Sequence, residues 1–161
     1  MALSSQSRKP KQKIFDELRG IWVAATEEEI VRQTLLHQMV GLLGYPKELL
    51  AIEREIGLLP HLQGVKVPDR RVDILCFGRG IHPDHALYPL LLIECKKEGL
   101  GFDAKEQLLG YNSYVGAYFI SMAAKDELLF GYPDRKSGTY AFASSLPPYQ
   151  ELINAIKNGR V

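Results

Sequence analysis

Only two cysteines, one tryptophan and one net positive charge are spread over the 161 residues of this chain. A chain of this length buries most of its apolar surface without covalent staples, so two cysteines exclude a disulfide framework. The near balance of 20 basic against 19 acidic residues excludes a broad electropositive surface as the means of gripping a phosphate backbone. A nucleic-acid partner would therefore be held by local patches or through metal. The candidate patches are Arg8, Lys9, Lys11 and Lys13, then Arg70 and Arg71, then Lys96 and Lys97. No run approaches the roughly 18 apolar residues that cross a membrane, and the opening MALSSQSRKP lacks the apolar segment of an export signal. The expected setting is a reducing cytoplasm, with no membrane contact. There is no G-x-x-x-x-G-K-[ST] phosphate loop and no Ser-His-Asp order, so any ATP-driven motor is expected on another polypeptide.

What is present reads as a basic, flexible tail over 1–12 followed by one domain over 13–161. KIFDELRGIWVAAT has apolar residues on either side of Leu18-Arg19-Gly20 and predicts a short hairpin. From Thr26 the apolar positions 31, 35, 39, 42 and 43 have helical spacing that ends at Gly44. A helical turn and a strand near Ala51–Leu58 follow, then strands over Val67–Phe77 and Leu87–Glu94. FDAKEQLLGYNSYVGA is helical from Asp103, with Ala104, Leu108, Tyr111 and Val115 on one stripe. Strands at 118–122, 127–132 and 139–143 precede a last helix in SSLPPYQELINAIKNGRV, with Ser145 as its cap and prolines in its first turn. The pattern is mixed α/β or α+β, without internal repeats.

The chemistry concentrates in RVDILCFGRGIHPDHALYPLLLIECKK, residues 71–97. Side chains alternate along a strand, so Glu94 and Lys96 share one face and Cys95 takes the other. An antiparallel hairpin that sets Asp73 across from Glu94 brings two carboxylates and an ammonium together. It also puts Cys76 opposite residue 91, too far along for a disulfide to Cys95, and both cysteines behind the acids. Mg²⁺ takes oxygen ligands, usually one or two carboxylates plus waters and phosphate oxygens. Asp73, Glu94 and the backbone carbonyl of Cys95 could supply three of these, with Lys96 placed to orient water or steady developing charge. The bare [DE]-x-K triplet is weak, since it recurs at Asp103 to Lys105 and Asp134 to Lys136. Only Glu94 to Lys96 follows a strand as apolar as LYPLLLI, and the competing explanation for it is a strand-end salt bridge.

As an ordered set, Glu29-Ile-Val-Arg32-Gln, Arg71-Val-Asp73-Ile, Ile93-Glu94-Cys-Lys96 and Gln107-Leu-Leu-Gly-Tyr111-Asn resemble the PD-(D/E)XK nuclease superfamily. More narrowly, they resemble the N-terminal domain of type I restriction enzyme R subunits, in a small stand-alone bacterial form, over about Phe15 to Tyr149. The resemblance implies a restriction-endonuclease-like core in the order helix-strand-strand-strand-helix-strand, a central mixed sheet flanked by helices. It implies Mg²⁺ (or Mn²⁺)-dependent cleavage of DNA, with Asp73, Glu94 and Lys96 as the catalytic trio. Gln107 and Tyr111 match a Q-x-x-x-Y element that supports the active site or DNA. They lie one helical turn apart, on the same face.

Glu29 has two readings. Thr26-Glu-Glu-Glu29 matches a capping box, which accounts for it structurally, and the resemblance makes it a further metal ligand. Arg32 pairs with an acid near the site or lies on the polar helix face, and Arg71, Lys97 and, more weakly, Arg32 are the expected DNA contacts. His82 and His85 read as a solvated hairpin tip, while His37 and His61 have no evident partner. Two functions remain open at this point. One is a metal-dependent deoxyribonuclease of restriction or repair type, acting with a motor or restriction-complex subunit. The other is a non-catalytic module of the same fold that binds nucleic acid or protein.

Overall fold

A computed structural model describes residues 12–159, so Arg8, Lys9 and Lys11 of the expected tail lie outside the described residues. A two-stranded hairpin, β1 (Lys13–Asp16) and β2 (Ile21–Ala24), leads into α1 (Glu27–Gly41). Then come β3 (Leu50–Glu55), β4 (Arg71–Arg79), β5 (Leu87–Cys95), α2 (Phe102–Val115), β6 (Phe119–Ala123), β7 (Leu128–Asp134), β8 (Thr139–Ala143) and α3 (Tyr149–Lys157). β3 to β8 form one sheet in sequence order, antiparallel throughout except for the parallel pair β5 and β6. That parallel step needs a crossover, and α2 supplies it.

β5 explains the unbroken apolar run. A strand covered on both faces has no polar side to show, and Leu90, Leu91, Leu92 and Ile93 are all fully buried. On one face Leu91, Ile93, Ile74 and Cys76 meet Val31, Leu35, Leu36 and Met39 of α1 and Leu152 and Ile153 of α3. On the other, Leu75, Leu92, Ile120 and Met122 meet Leu108 and Val115 of α2, with Ile56, Leu59 and Leu62 from short 3-10 turns. The result is a mixed sheet flanked by helices. Pro89 lies inside this central strand because the β4 and β5 register slips there, from Cys76 opposite Leu91 to Phe77 opposite Pro89. Leu90 is the unpaired extra residue of this bulge, and prolines inside a sheet are confined to such irregular places.

Several boundaries differ from the sequence expectation, each for a local reason. α1 stops at Gly41, and Leu42, expected on its buried stripe, is 82% exposed beyond the helix end. β3 ends at Glu55, because Ile56–Leu58 tightens into a 3-10 turn. β4 starts only at Arg71, since Pro68 cannot join a ladder. Ser145 does not cap α3. Pro147 and Pro148 hold the chain extended ahead of the helix, Tyr45 donates its hydroxyl to the Pro147 carbonyl at 2.7 Å, and the first turn opens at Tyr149 with no side-chain cap. At the other end of the crossover, α2 closes on Gly116 in the left-handed region (φ 72°), whose N–H donates to Asn112 O. A Cβ there would stand 2.7 Å from the Tyr88 hydroxyl, so both conformation and space select glycine.

Candidate active site

The β4 and β5 register pairs Ile74 with Ile93 and Leu75 with Leu92. One further step in the same register sets Asp73 across from Glu94, at the end of the sheet where both strands leave the core. Asp73 Oδ2 accepts the backbone N–H of Cys95 at 2.7 Å. Glu94 is only 8% exposed and shares a side-chain hydrogen bond with Asp73. Burial, then the charge of Asp73 and that shared bond, raise the Glu94 carboxyl far above its usual range, while Lys96 and Arg70 pull it back only in part. Glu94 therefore holds its proton at pH values where an exposed carboxyl has lost it.

Lys96 leaves the sheet with its N–H bonded to Ala123 O at 2.8 Å, and its Nζ donates to Gln107 Oε1 at 2.9 Å. Gln107 thus leans from α2 onto the ammonium. Tyr111, one turn on, has its ring under the Arg70 guanidinium, 4.1 Å from centroid to Cζ, and its hydroxyl is buried without a hydrogen-bond partner among the described residues. Arg70, from the segment just before β4, also contributes positive charge near Glu94.

Glu29 is only half a capping box. Its N–H donates to Thr26 Oγ1 at 3.1 Å, but the Thr26 N–H goes to Ala24 O. The Glu29 carboxylate turns inward to Arg19 Nη2 at 2.9 Å, Gln33 Nε2 at 3.0 Å and Arg32 Nη1 at 3.2 Å. Arg32 is buried and also reaches Glu53 at 3.2 Å and Asp73 Oδ1 at 3.4 Å. Burial alone would favour a neutral guanidine, but the three carboxylates outweigh it and raise the Arg32 pKa. Arg19, in the β1–β2 turn, donates from Nε to Asp16 at 2.6 Å and from Nη1 to Glu53 at 3.0 Å. Asp16 is fully buried and also accepts from Gln33 at 2.9 Å. Burial would raise its pKa, yet the bonds from Arg19 and Gln33 hold it below the ordinary value.

Glu53, Arg19, Asp16 and Gln33 were not singled out from sequence. Glu53 carries a signal only the backbone reveals. It is the one non-glycine residue with positive φ (49°) among those described, and it sits where β3 passes Asp73, between the pairs Ile52 with Ile74 and Arg54 with Val72. Such a conformation costs about 1–3 kcal/mol and persists where surrounding contacts impose it, here the two arginines. In this cluster the cations that pair with Asp16, Glu29, Glu53 and Asp73 among the described residues are Arg19 and Arg32.

Arg71 and Lys97, the other sequence candidates, lie at the periphery in exposed ion pairs, to Glu55 at 3.5 Å and Glu27 at 3.7 Å. Lys97 also lines a cleft of about 570 Å³ between the start of α1, the 97–99 segment and the β6–β7 turn. Cys76 and Cys95 are free thiols buried on the α1 side, and burial pushes Cys76 up to about 12 and Cys95 higher still, which makes both unreactive. The histidines stay away from the acids. His82 is half-buried and stacks on Tyr88 at 4.3 Å rather than standing in solvent, and His61 Nε2 meets Val115 O at 2.6 Å.

Among the described residues no three His, Cys, Asp or Glu side chains converge as metal ligands. The donor set fits magnesium nonetheless, since that ion is commonly held by one or two carboxylates and keeps waters for the rest. Asp73 and Glu94 are adjacent hard oxygen donors on paired strands.

Neither a curated protein nor a solved structure matches the chain. A family model does match, the type I restriction enzyme R protein N terminus (HSDR_N), over residues 27–147, which spans α1, the Asp73 and Glu94 strands and α2. The chain belongs to this family, which ties it to restriction.

Proposed function

We propose that the chain is a metal-dependent deoxyribonuclease of PD-(D/E)XK type, a domain that cuts DNA in restriction. The observation that carries this reading is the Asp73 and Glu94 carboxyl pair, one register step beyond Ile74 and Ile93, beside a lysine that Gln107 holds in place. Asp73 and Glu94, with the Cys95 carbonyl, would hold Mg²⁺ or Mn²⁺, and Glu29 stands behind them through Arg32. A bound divalent ion supplies Lewis acidity and neutralises charge on the scissile phosphate. Lys96 orients the attacking water and steadies negative charge on the phosphate oxygens. Gln107 fixes the Lys96 ammonium, and Arg32 and the Cys95 N–H fix Asp73. Arg70, Arg71 and Lys97 offer the positive charge that DNA requires nearby, and a separate motor subunit would deliver the substrate.

The test is cleavage of single- and double-stranded DNA with Mg²⁺ or Mn²⁺ by wild type, Asp73→Ala and Lys96→Ala. Wild type alone should cut, and Lys96→Ala should lose about a hundredfold or more. Equal cleavage by all three would trace the activity to a contaminant and end the proposal.

A second reading has one observation in its favour. Arg32 already engages Asp73 Oδ1, as a structural ion cluster would. In that case the chain binds DNA or a partner protein without cutting. Calorimetric titration with Mn²⁺ separates the two, because heat of binding that vanishes in Asp73→Ala supports the nuclease, and none at millimolar ion supports the cluster.

A further inference from the structure

We propose that the outer face of the β1–β2 hairpin is a stacking platform for single-stranded DNA, with Trp22 and Phe15 as its base-binding rings. The inference deepens the nuclease reading and rests on it for the identity of the nucleic acid. Phe15 and Trp22 are direct partners across the hairpin, so they project from the same face. Their ring centroids lie 5.3 Å apart, and they are 45% and 66% exposed. The alternating position Asp16 is fully buried. The hairpin therefore shows its aromatic side outward and tucks its carboxylate in, the reverse of what burial of apolar surface favours.

Charge narrows the occupant. Lys13 shares the outer face by the same alternation, and the first thirteen residues contain four basic side chains, Arg8, Lys9, Lys11 and Lys13, and no acid. A flat apolar pair beside the ammonium-bearing Lys13, with a basic segment preceding it in sequence, suits a ligand made of planar rings on an anionic backbone. Duplex bases are stacked on one another and cannot offer their faces, whereas an unpaired strand can. Position supports the same occupant. The turn of this hairpin carries Arg19, which bonds Glu29 and Glu53, and both of these bond Arg32, which reaches Asp73. A strand stacked on Trp22 is thus held by an element rigidly tied to the proposed catalytic acids.

Trp22 is the sole tryptophan, so emission excited at wavelengths that the eight tyrosines do not absorb reports this face alone. The full chain in EDTA, where no metal-dependent cleavage occurs, is titrated with oligothymidylate. Binding should quench Trp22. By anisotropy of a labelled oligothymidylate, Trp22→Ala should bind about five- to hundredfold more weakly, and Trp22→Phe should stay within about threefold of wild type. The thermal midpoint of Trp22→Ala should match wild type, because the ring is exposed. Three results would overturn the proposal: oligothymidylate binding without quenching or no binding at all, a duplex of equal length that quenches as strongly, or concentration-dependent self-association abolished by Trp22→Ala, which would assign the face to a second copy. Quenching with no DNA cleavage by wild type in Mn²⁺ would keep the platform and sink the nuclease. Cleavage without quenching would do the reverse.

Discussion

Replacing Glu94 with glutamine should remove the loss of stability that this carboxyl imposes as pH rises. In the native protein burial, and then the neighbouring Asp73, raise the Glu94 carboxyl from 4.5 to about 9, whereas in the unfolded chain it returns to its ordinary value. Between those values the native state holds a proton that the unfolded state has released. The stabilising effect of that proton is complete below the unfolded value and is lost as pH climbs toward the folded one. With one proton of difference the unfolding free energy falls by about 1.4 kcal/mol per pH unit, hence by roughly 2.7 kcal/mol between about pH 5.5 and about pH 7.5. Glutamine keeps the shape and a hydrogen bond to Asp73 but cannot ionise. The shifts of groups that do not touch Glu94 cancel when the two proteins are compared, so Glu94→Gln should gain about 2–3 kcal/mol on wild type across that interval. Urea unfolding in EDTA at both pH values measures it. If the two proteins change in parallel to within about 0.5 kcal/mol, Glu94 is already ionised near neutrality and the account of its raised carboxyl is wrong. Added Mn²⁺ should raise the wild-type midpoint at the higher pH, where little work is needed to remove the proton, and leave Glu94→Gln much less affected.

Gln107→Leu should lower the cleavage kcat by about tenfold with little change in KM, because the side chain acts through Lys96, and Gln107→Glu should recover most of the rate. Arg32→Met leaves Glu29, Glu53 and Asp73 without their buried counter-charge and should destabilise by about 3–5 kcal/mol. Differential scanning calorimetry would show it as a drop of roughly 10 °C, and an unchanged midpoint would mean these acids are well solvated. Gly131→Ala places a methyl 2.7 Å from Ile120 Cγ1 and 2.9 Å from Phe142 Cε1, so denaturant unfolding should register a loss of about 1–3 kcal/mol.

The elements that were legible in the chain are those whose signal is local. Thr26 and the apolar spacing of 31, 35 and 39 specify α1, and Gln107 and Tyr111 fall on one face of α2 wherever that helix packs. The acids of β4 and β5 were also within reach, because a hairpin fixes its own register and the same register that puts Cys76 opposite Leu91 carries Asp73 to Glu94. Boundaries at Leu42, Val67 and Ser145 were not, since they depend on where packing ends and where a proline interrupts a ladder or a turn.

What no periodicity could disclose is the network behind Asp73. Arg19 and Glu53 are 34 positions apart, and Arg32 and Asp73 are 41 apart. Arg19 and Glu53 read alone as ordinary charged surface residues, Arg32 only as a cation that pairs with an acid near the site or lies on the polar helix face, and Glu29 as a helix cap or a metal ligand. Only folding brings the hairpin turn, α1, β3 and β4 to one end of the sheet, and only there do burial and mutual charge change what these groups are. A sequence sets which side chains a strand or helix will show on each face. The tertiary structure decides which faces meet, and with that the desolvation and Coulomb terms that raise the carboxyl of Glu94 and keep Arg32 charged.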